Sequence, residues 1–108
     1  MKEVKFRGKR IDMSEYPTDK ELKQVSEFDP IKDNIDEFLS FLESIWWIPD
    51  WGFKLKGKKV KYLELHTGGW SGNEEIIYEL KKTFFWMWWR MTKVGGHYYF
   101  RIKPIRGK

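Results

Sequence analysis

One short glycine-rich segment, across which the hydrophobic period changes, constrains this fold most. From Val60 to Thr67 the pattern alternates, with Leu63 and Leu65 on one side and Tyr62, Glu64 and His66 on the other. That is the period of a strand. From Glu74 onward apolar residues recur every three or four positions, the period of a helix. Between the two lies Gly68-Gly69-Trp70-Ser71-Gly72-Asn73, a loop by composition. Ser71-Gly72-Asn73-Glu74 has capping-box spacing, so Ser71 is expected to cap a helix running from Glu74 to about Lys93. Gly95-Gly96 would stop that helix, and His97 to Lys103 would form a final strand closed by Pro104.

The rest of the chain supplies partners for this unit. Lys2 to Ile11 reads as a strand, with Val4 and Phe6 on one side and Lys5 and Arg7 on the other. Thr18-Asp19-Lys20-Glu21 is another capping box, predicting a short helix from about Asp19 to Glu27. Asp29-Pro30 marks a further helix start, with Ile31, Ile35, Phe38, Leu39, Leu42, Ile45 and Trp46 as its core stripe and Pro49 as its end. Phe53 to Leu55 and Val60 to Thr67 are strands joined by a hairpin at Lys56-Gly57-Lys58. The expected fold is a single α+β domain, residues 1–108. It has a small, mainly antiparallel sheet of three to four strands, helices on one face and a long aromatic helix at its centre. The last strand–helix–strand could form a parallel crossover.

Size and composition agree with a packed core. Seven Trp, eight Phe and five Tyr in 108 residues give enough apolar area to stabilise one domain without crosslinks. The chain has no cysteine, which removes disulfides and thiolate metal sites and fits a reducing cytoplasm. No secretory leader is visible, and the apolar run Phe84 to Trp89 is too short to span a bilayer.

Charge is distributed in blocks. Residues 1–11 carry five basic and one acidic side chain, residues 12–50 three basic and eleven acidic, and residues 51–108 thirteen basic and four acidic. The blocks are thus +4, −8 and +9, which sum to the net +5. Either the blocks attract one another inside one fold, or the basic part offers a face to a polyanion.

Two strings resemble a known group. Leu65-His66-Thr67-Gly68-Gly69-Trp70-Ser71-Gly72-Asn73-Glu74-Glu75-Ile76-Ile77 and the later Gly95-Gly96-His97-Tyr98-Tyr99-Phe100 look like the two motifs of a family of small phage- and prophage-encoded proteins. The resemblance covers roughly the last half of the chain. It implies phage or prophage origin and a small accessory role in the host-cell cytoplasm. It carries over no catalytic residue and does not reach the first fifty residues.

Several constellations could carry chemistry. Thr67, Gly68, Gly69, Trp70, Ser71 and Asn73 form a candidate binding loop at a helix N-terminus, with Trp70 as an exposed anchor. The loop has no Lys or Arg and does not match a P-loop, and Glu74 and Glu75 oppose an anion there. In the long helix, Ile77, Leu80, Phe84, Trp88 and Met91 make a core stripe, while Tyr78, Phe85 and Trp89 make a second and Trp86 lies nearly opposite the first. Phe85, Trp86 and Trp89 are therefore a candidate interaction surface for a partner or a homodimer, unless another helix covers them. Lys54, Lys56, Tyr62, Tyr99, Arg101 and Lys103 fall on one outward sheet face, the arrangement that single-strand nucleic-acid binders use. Glu64 and His66 share that face and could do acid–base work. A metal site is not expected. A twenty-residue helix is ~30 Å long and would separate His66 from His97 at opposite sheet edges.

Three functions follow. The first is a non-enzymatic accessory protein binding a host or phage macromolecule, such as an inhibitor of host defence acting on CRISPR or signalling. The second is a single-stranded nucleic-acid-binding module. The third is a small hydrolase or nuclease around Glu64 and His66. No catalytic residue, metal or cofactor is assigned. The expected partner is a protein first and nucleic acid second, with no membrane.

Overall fold

Each element begins where its local chemistry allows. A computed structural model describes residues 16–103, together with the backbone of two short strands, β1 (Lys5–Phe6) and β2 (Lys9–Arg10). Those strands pair antiparallel, so the expected single strand Lys2–Ile11 is a hairpin where it is described. Its remaining residues and its side chains, like Pro104, lie outside the described residues.

Helix α1 (Asp19–Ser26) starts on the expected capping box: the Thr18 hydroxyl accepts from the Glu21 amide, and the Glu21 carboxylate accepts from the Thr18 amide. Asp29 does not cap a helix. Its carboxylate accepts from the amides of Ile31 and Lys32 in a separate turn. Helix α2 (Ile35–Ile45) starts instead at Asn34, whose side chain accepts from the Glu37 amide. Asn and Asp serve turns and N-caps alike, and here two such residues compete. Phe38, Leu39, Leu42 and Ile45 form the buried stripe of α2. Ile48 takes a left-handed backbone, φ 53°, that a β-branched residue rarely adopts. It turns the chain into the short α3 (Pro49–Gly52), where proline opens a helix; α2 has already ended at Ile45, so Pro49 is not its stop.

Strands β3 (Phe53–Gly57) and β4 (Lys61–His66) form the expected hairpin. Helix α4 (Ser71–Lys81) follows. The long aromatic helix expected to reach Lys93 is three elements: α4, a 3-10 turn (Phe84–Trp88) and strand β5 (Trp89–Lys93). Thr83 makes the break. Its hydroxyl donates to the Leu80 carbonyl, closing α4, and accepts from the Phe85 amide, starting the 3-10 turn. A continued helix would spread six large apolar side chains around its whole circumference. The broken path buries Phe85 and Trp88 and leaves Phe84 72% exposed, so the expected burial of Phe84 is overturned.

Gly95-Gly96 is correspondingly not a helix stop. Both glycines have positive φ in the turn between β5 and β6 (His97–Ile102). The sheet order is β3-β4-β6-β5, antiparallel throughout, so the expected parallel crossover is absent. The fold is α+β, with four α-helices and a four-stranded antiparallel sheet beside the β1–β2 pair among the described residues. Buried residues of α1, α2 and α4 meet Phe53, Leu63, Leu65, Phe100 and Ile102 in one core. Phe85 lies at its centre, against Phe28, Phe38, Trp88 and Phe100. No helix among the described residues is long and apolar enough to cross a membrane.

A candidate nucleic-acid interface on the open sheet face

Strand alternation and register together build the face opposite the core. Lys54 pairs with Glu64, Glu64 with Tyr99, and Tyr99 with Met91. Lys56 pairs with Tyr62, and Tyr62 with Arg101. Cα partners in an antiparallel sheet point the same way, so these side chains share one face. Lys103 continues the alternation of β6 beyond Ile102. The six residues expected on this face are thus brought together, and four strands contribute to it. Lys54, Lys56, Lys93 and Lys103 are exposed, Tyr62 is 46% exposed, and Tyr99 and Arg101 are half-buried. Lys93 rests its ammonium 5.5 Å from the centre of the Tyr99 ring. Tyr62 and Tyr99 are diagonal neighbours across β4 and β6, about 7–8 Å apart at that position in a sheet.

One end of the face carries a chain of polar contacts. His66 and His97 are register partners, and their Nδ1 atoms lie 2.7 Å apart. The other ring nitrogen of His66, Nε2, lies 3.3 Å from Glu64 Oε1. Trp51 of α3 and Tyr99 pack their rings around His66. The expected separation of the histidines at opposite edges is therefore overturned, because the chain returns through a two-strand hairpin and not a long helix. Among the described residues no group of three or more His, Cys, Asp or Glu side chains is placed to hold a metal ion.

The glycine-rich loop is built differently. Thr67 is buried, donates its amide to the Gly96 carbonyl and its hydroxyl to Glu74, and accepts from the Gly69 amide. A Cβ on Gly96 would collide with that hydroxyl. Asn73 is also buried. Its side-chain oxygen accepts from the Trp47 amide, and its amide group donates to the carbonyls of Trp47 and Thr67. It thereby holds the residue next to the left-handed Ile48, where the backbone stores strain. Trp70 is not an exposed anchor. It is half-buried and stacked on Trp47 at 4.4 Å, with Tyr16 against it at 4.7 Å. Ser71 does not cap α4. Trp70 occupies the N-cap position, and the Ser71 hydroxyl donates to the Tyr16 hydroxyl. Gly68 and Gly69 remain exposed at the tip.

The proposed aromatic surface is also divided. Phe85 is fully buried, which removes it from any interface. Trp86 packs on Phe100 and Tyr98, and Trp89 stacks on Trp86 while remaining 41% exposed.

Sequence reasoning missed His97, Lys93 and Met91 as members of the open face. The signal was present: a Gly-Gly pair between two short segments rich in aromatic and β-branched residues also reads as a hairpin. Charge is segregated as well. Among the described residues a single ion pair, Lys61 with Asp36 at 3.2 Å, joins the acidic block to the basic one. The groove between α1 and α2 is lined by Glu27, Asp33 and Glu37. Compared with protein-family models, curated proteins and solved structures, the chain matches none.

Proposed function

We propose that this protein binds single-stranded nucleic acid on the open face of its sheet. The observation that carries the reading is the convergence of Tyr62 and Tyr99 with Lys54, Lys56, Lys93, Arg101 and Lys103 on one face of four paired strands. Tyrosine rings offer stacking platforms, and the five cations neutralise phosphates that run past them. Glu64 is the carboxylate on the same face, so the local balance strongly favours a polyanion. Two of the anchors expected for a protein partner, Phe85 and Trp70, are used in packing, which weighs against a protein as first partner. The resemblance to small phage and prophage proteins supports an accessory role in the host cytoplasm, with nucleic acid as the macromolecule engaged.

The test is fluorescence anisotropy with a labelled single-stranded 12-mer at rising salt. Log affinity should fall linearly with log salt, by about 0.7 for each phosphate neutralised. Duplex of the same length should compete poorly, since its bases cannot reach the tyrosines. Absence of binding at low salt would remove this reading.

A further inference from the structure

The contacts of Glu64, His66 and His97 allow one consistent order of donors and acceptors with both rings neutral. An ionised carboxylate only accepts, so the His66 Nε2 facing Glu64 Oε1 at 3.3 Å carries a hydrogen. A neutral His66 then has a bare Nδ1. Across the 2.7 Å contact, His97 Nδ1 must be the donor, because two bare or two protonated nitrogens would repel. The proton of a neutral His97 is thereby assigned to Nδ1, which leaves its Nε2 as a lone pair. Among the described residues no donor reaches that atom. Gly95 keeps the space beside it open: a Cβ at that position would stand 3.1 Å from Nε2. The carboxylate–imidazole–imidazole chain therefore ends in a lone pair at the open face.

A base of this kind needs a nucleophile to deprotonate. The chain has no cysteine. The hydroxyl of Thr67, next in the chain to His66, is engaged with Glu74. A substrate can supply the nucleophile, and RNA carries one beside every phosphate, the 2′-hydroxyl. Lys93 is the register partner of His97, and Lys54 that of Glu64, so cations flank the same end of the face.

We propose that His97 is the general base of a centre that cleaves single-stranded RNA, with His66 and Glu64 as positioning residues. This rests on the nucleic-acid reading above. His97 Nε2 takes the proton of a 2′-hydroxyl. The freed electron pair of the 2′ oxygen forms a bond to the adjacent phosphorus, and the bond from phosphorus to the 5′ oxygen breaks. The departing oxygen takes a proton from water, and the hydroxide so formed recovers the proton from His97. The products are a 2′,3′-cyclic phosphate and a 5′-hydroxyl end, and no oxidant or further reactant is required. Lys93 and Lys54 offset the charge that develops on the phosphoryl oxygens.

The experiment incubates the full chain, in EDTA, with a labelled single-stranded RNA of mixed sequence. The same sequence as DNA and as 2′-O-methyl RNA is run in parallel, with anisotropy as the binding readout. RNA should be cut to cyclic-phosphate ends, while the other two strands are bound and left intact. His97→Gln should lower the rate by about 100-fold or more, the scale of a lost general base. Glu64→Gln should lower kcat by about tenfold with KM little changed, because positioning and not binding is lost. Thermal melts of both variants check that they fold. RNA bound but uncut, cutting that survives His97→Gln, or cutting only when EDTA is omitted would each overturn the proposal while leaving the binding reading intact. Failure of all three strands to bind would overturn both readings.

Discussion

The two faces of strand β4 belong to the same six residues and obey different rules. Leu63 and Leu65 are fully buried against the helices, whereas Tyr62, Glu64 and His66 point the other way and keep part of their surface in contact with solvent. On the closed face a side chain is judged by the volume it fills. On the open face it is judged by what it can hold, since α1, α2 and α4 pack on the other side. The comparison shows that the core and the proposed binding face are separated here by one residue's step along a strand.

A truncation at the centre of the closed face tests the packed side most severely. Phe85→Ala should destabilise the fold by about 3–5 kcal/mol, measured by chemical denaturation, because four aromatic neighbours lose their shared contact. A loss under about 1 kcal/mol would mean that Phe85 is not a core residue. Asn73→Ala comes next, at about 2–3 kcal/mol. It leaves the Trp47 amide and carbonyl without their side-chain partner at a strained corner. Substitution on the open face should leave the melting midpoint nearly unchanged. Tyr99→Ala should weaken binding of a single strand by about 1–3 kcal/mol through lost stacking. If it unfolds the protein, the two faces are not separable.

Smaller effects sharpen the account of the helix starts. Thr18→Ala should cost about 1 kcal/mol, since it removes a real capping box. Ser71→Ala should cost about 0.5 kcal/mol or less, because its hydroxyl makes an exposed contact with Tyr16 and caps nothing. Equal losses in the two variants would restore Ser71 as a cap.

These two helix starts show how far the sequence could be read. The Thr18 box was legible because donor and acceptor both come from four consecutive residues. Ser71-Gly72-Asn73-Glu74 has the same spacing, yet Asn73 is drawn away to Trp47, a partner 26 positions earlier, and Glu74 to Thr67. Local spacing cannot report such competition. The stretch from Phe84 to Trp89 failed for a related reason: its helical periodicity was genuine, but Thr83 and the pull of Phe85 into the core broke the helix. The open face was legible, because alternation alone sorts side chains between the two sides of a strand.

Short-range chemistry settles α1 and its cap, the β3–β4 hairpin, the alternation of β4 and β6, and the α+β class. These depend on residues within one or two turns of each other. Tertiary structure alone decided that Gly95-Gly96 turns a hairpin and does not end a helix, and so set β6 beside β4. A glycine pair with positive φ satisfies either geometry, and the choice falls to whichever packing buries Phe85, Trp88 and Phe100 together. That choice brings His97 onto His66, 31 positions away in the chain, and with it the chemistry of the open face.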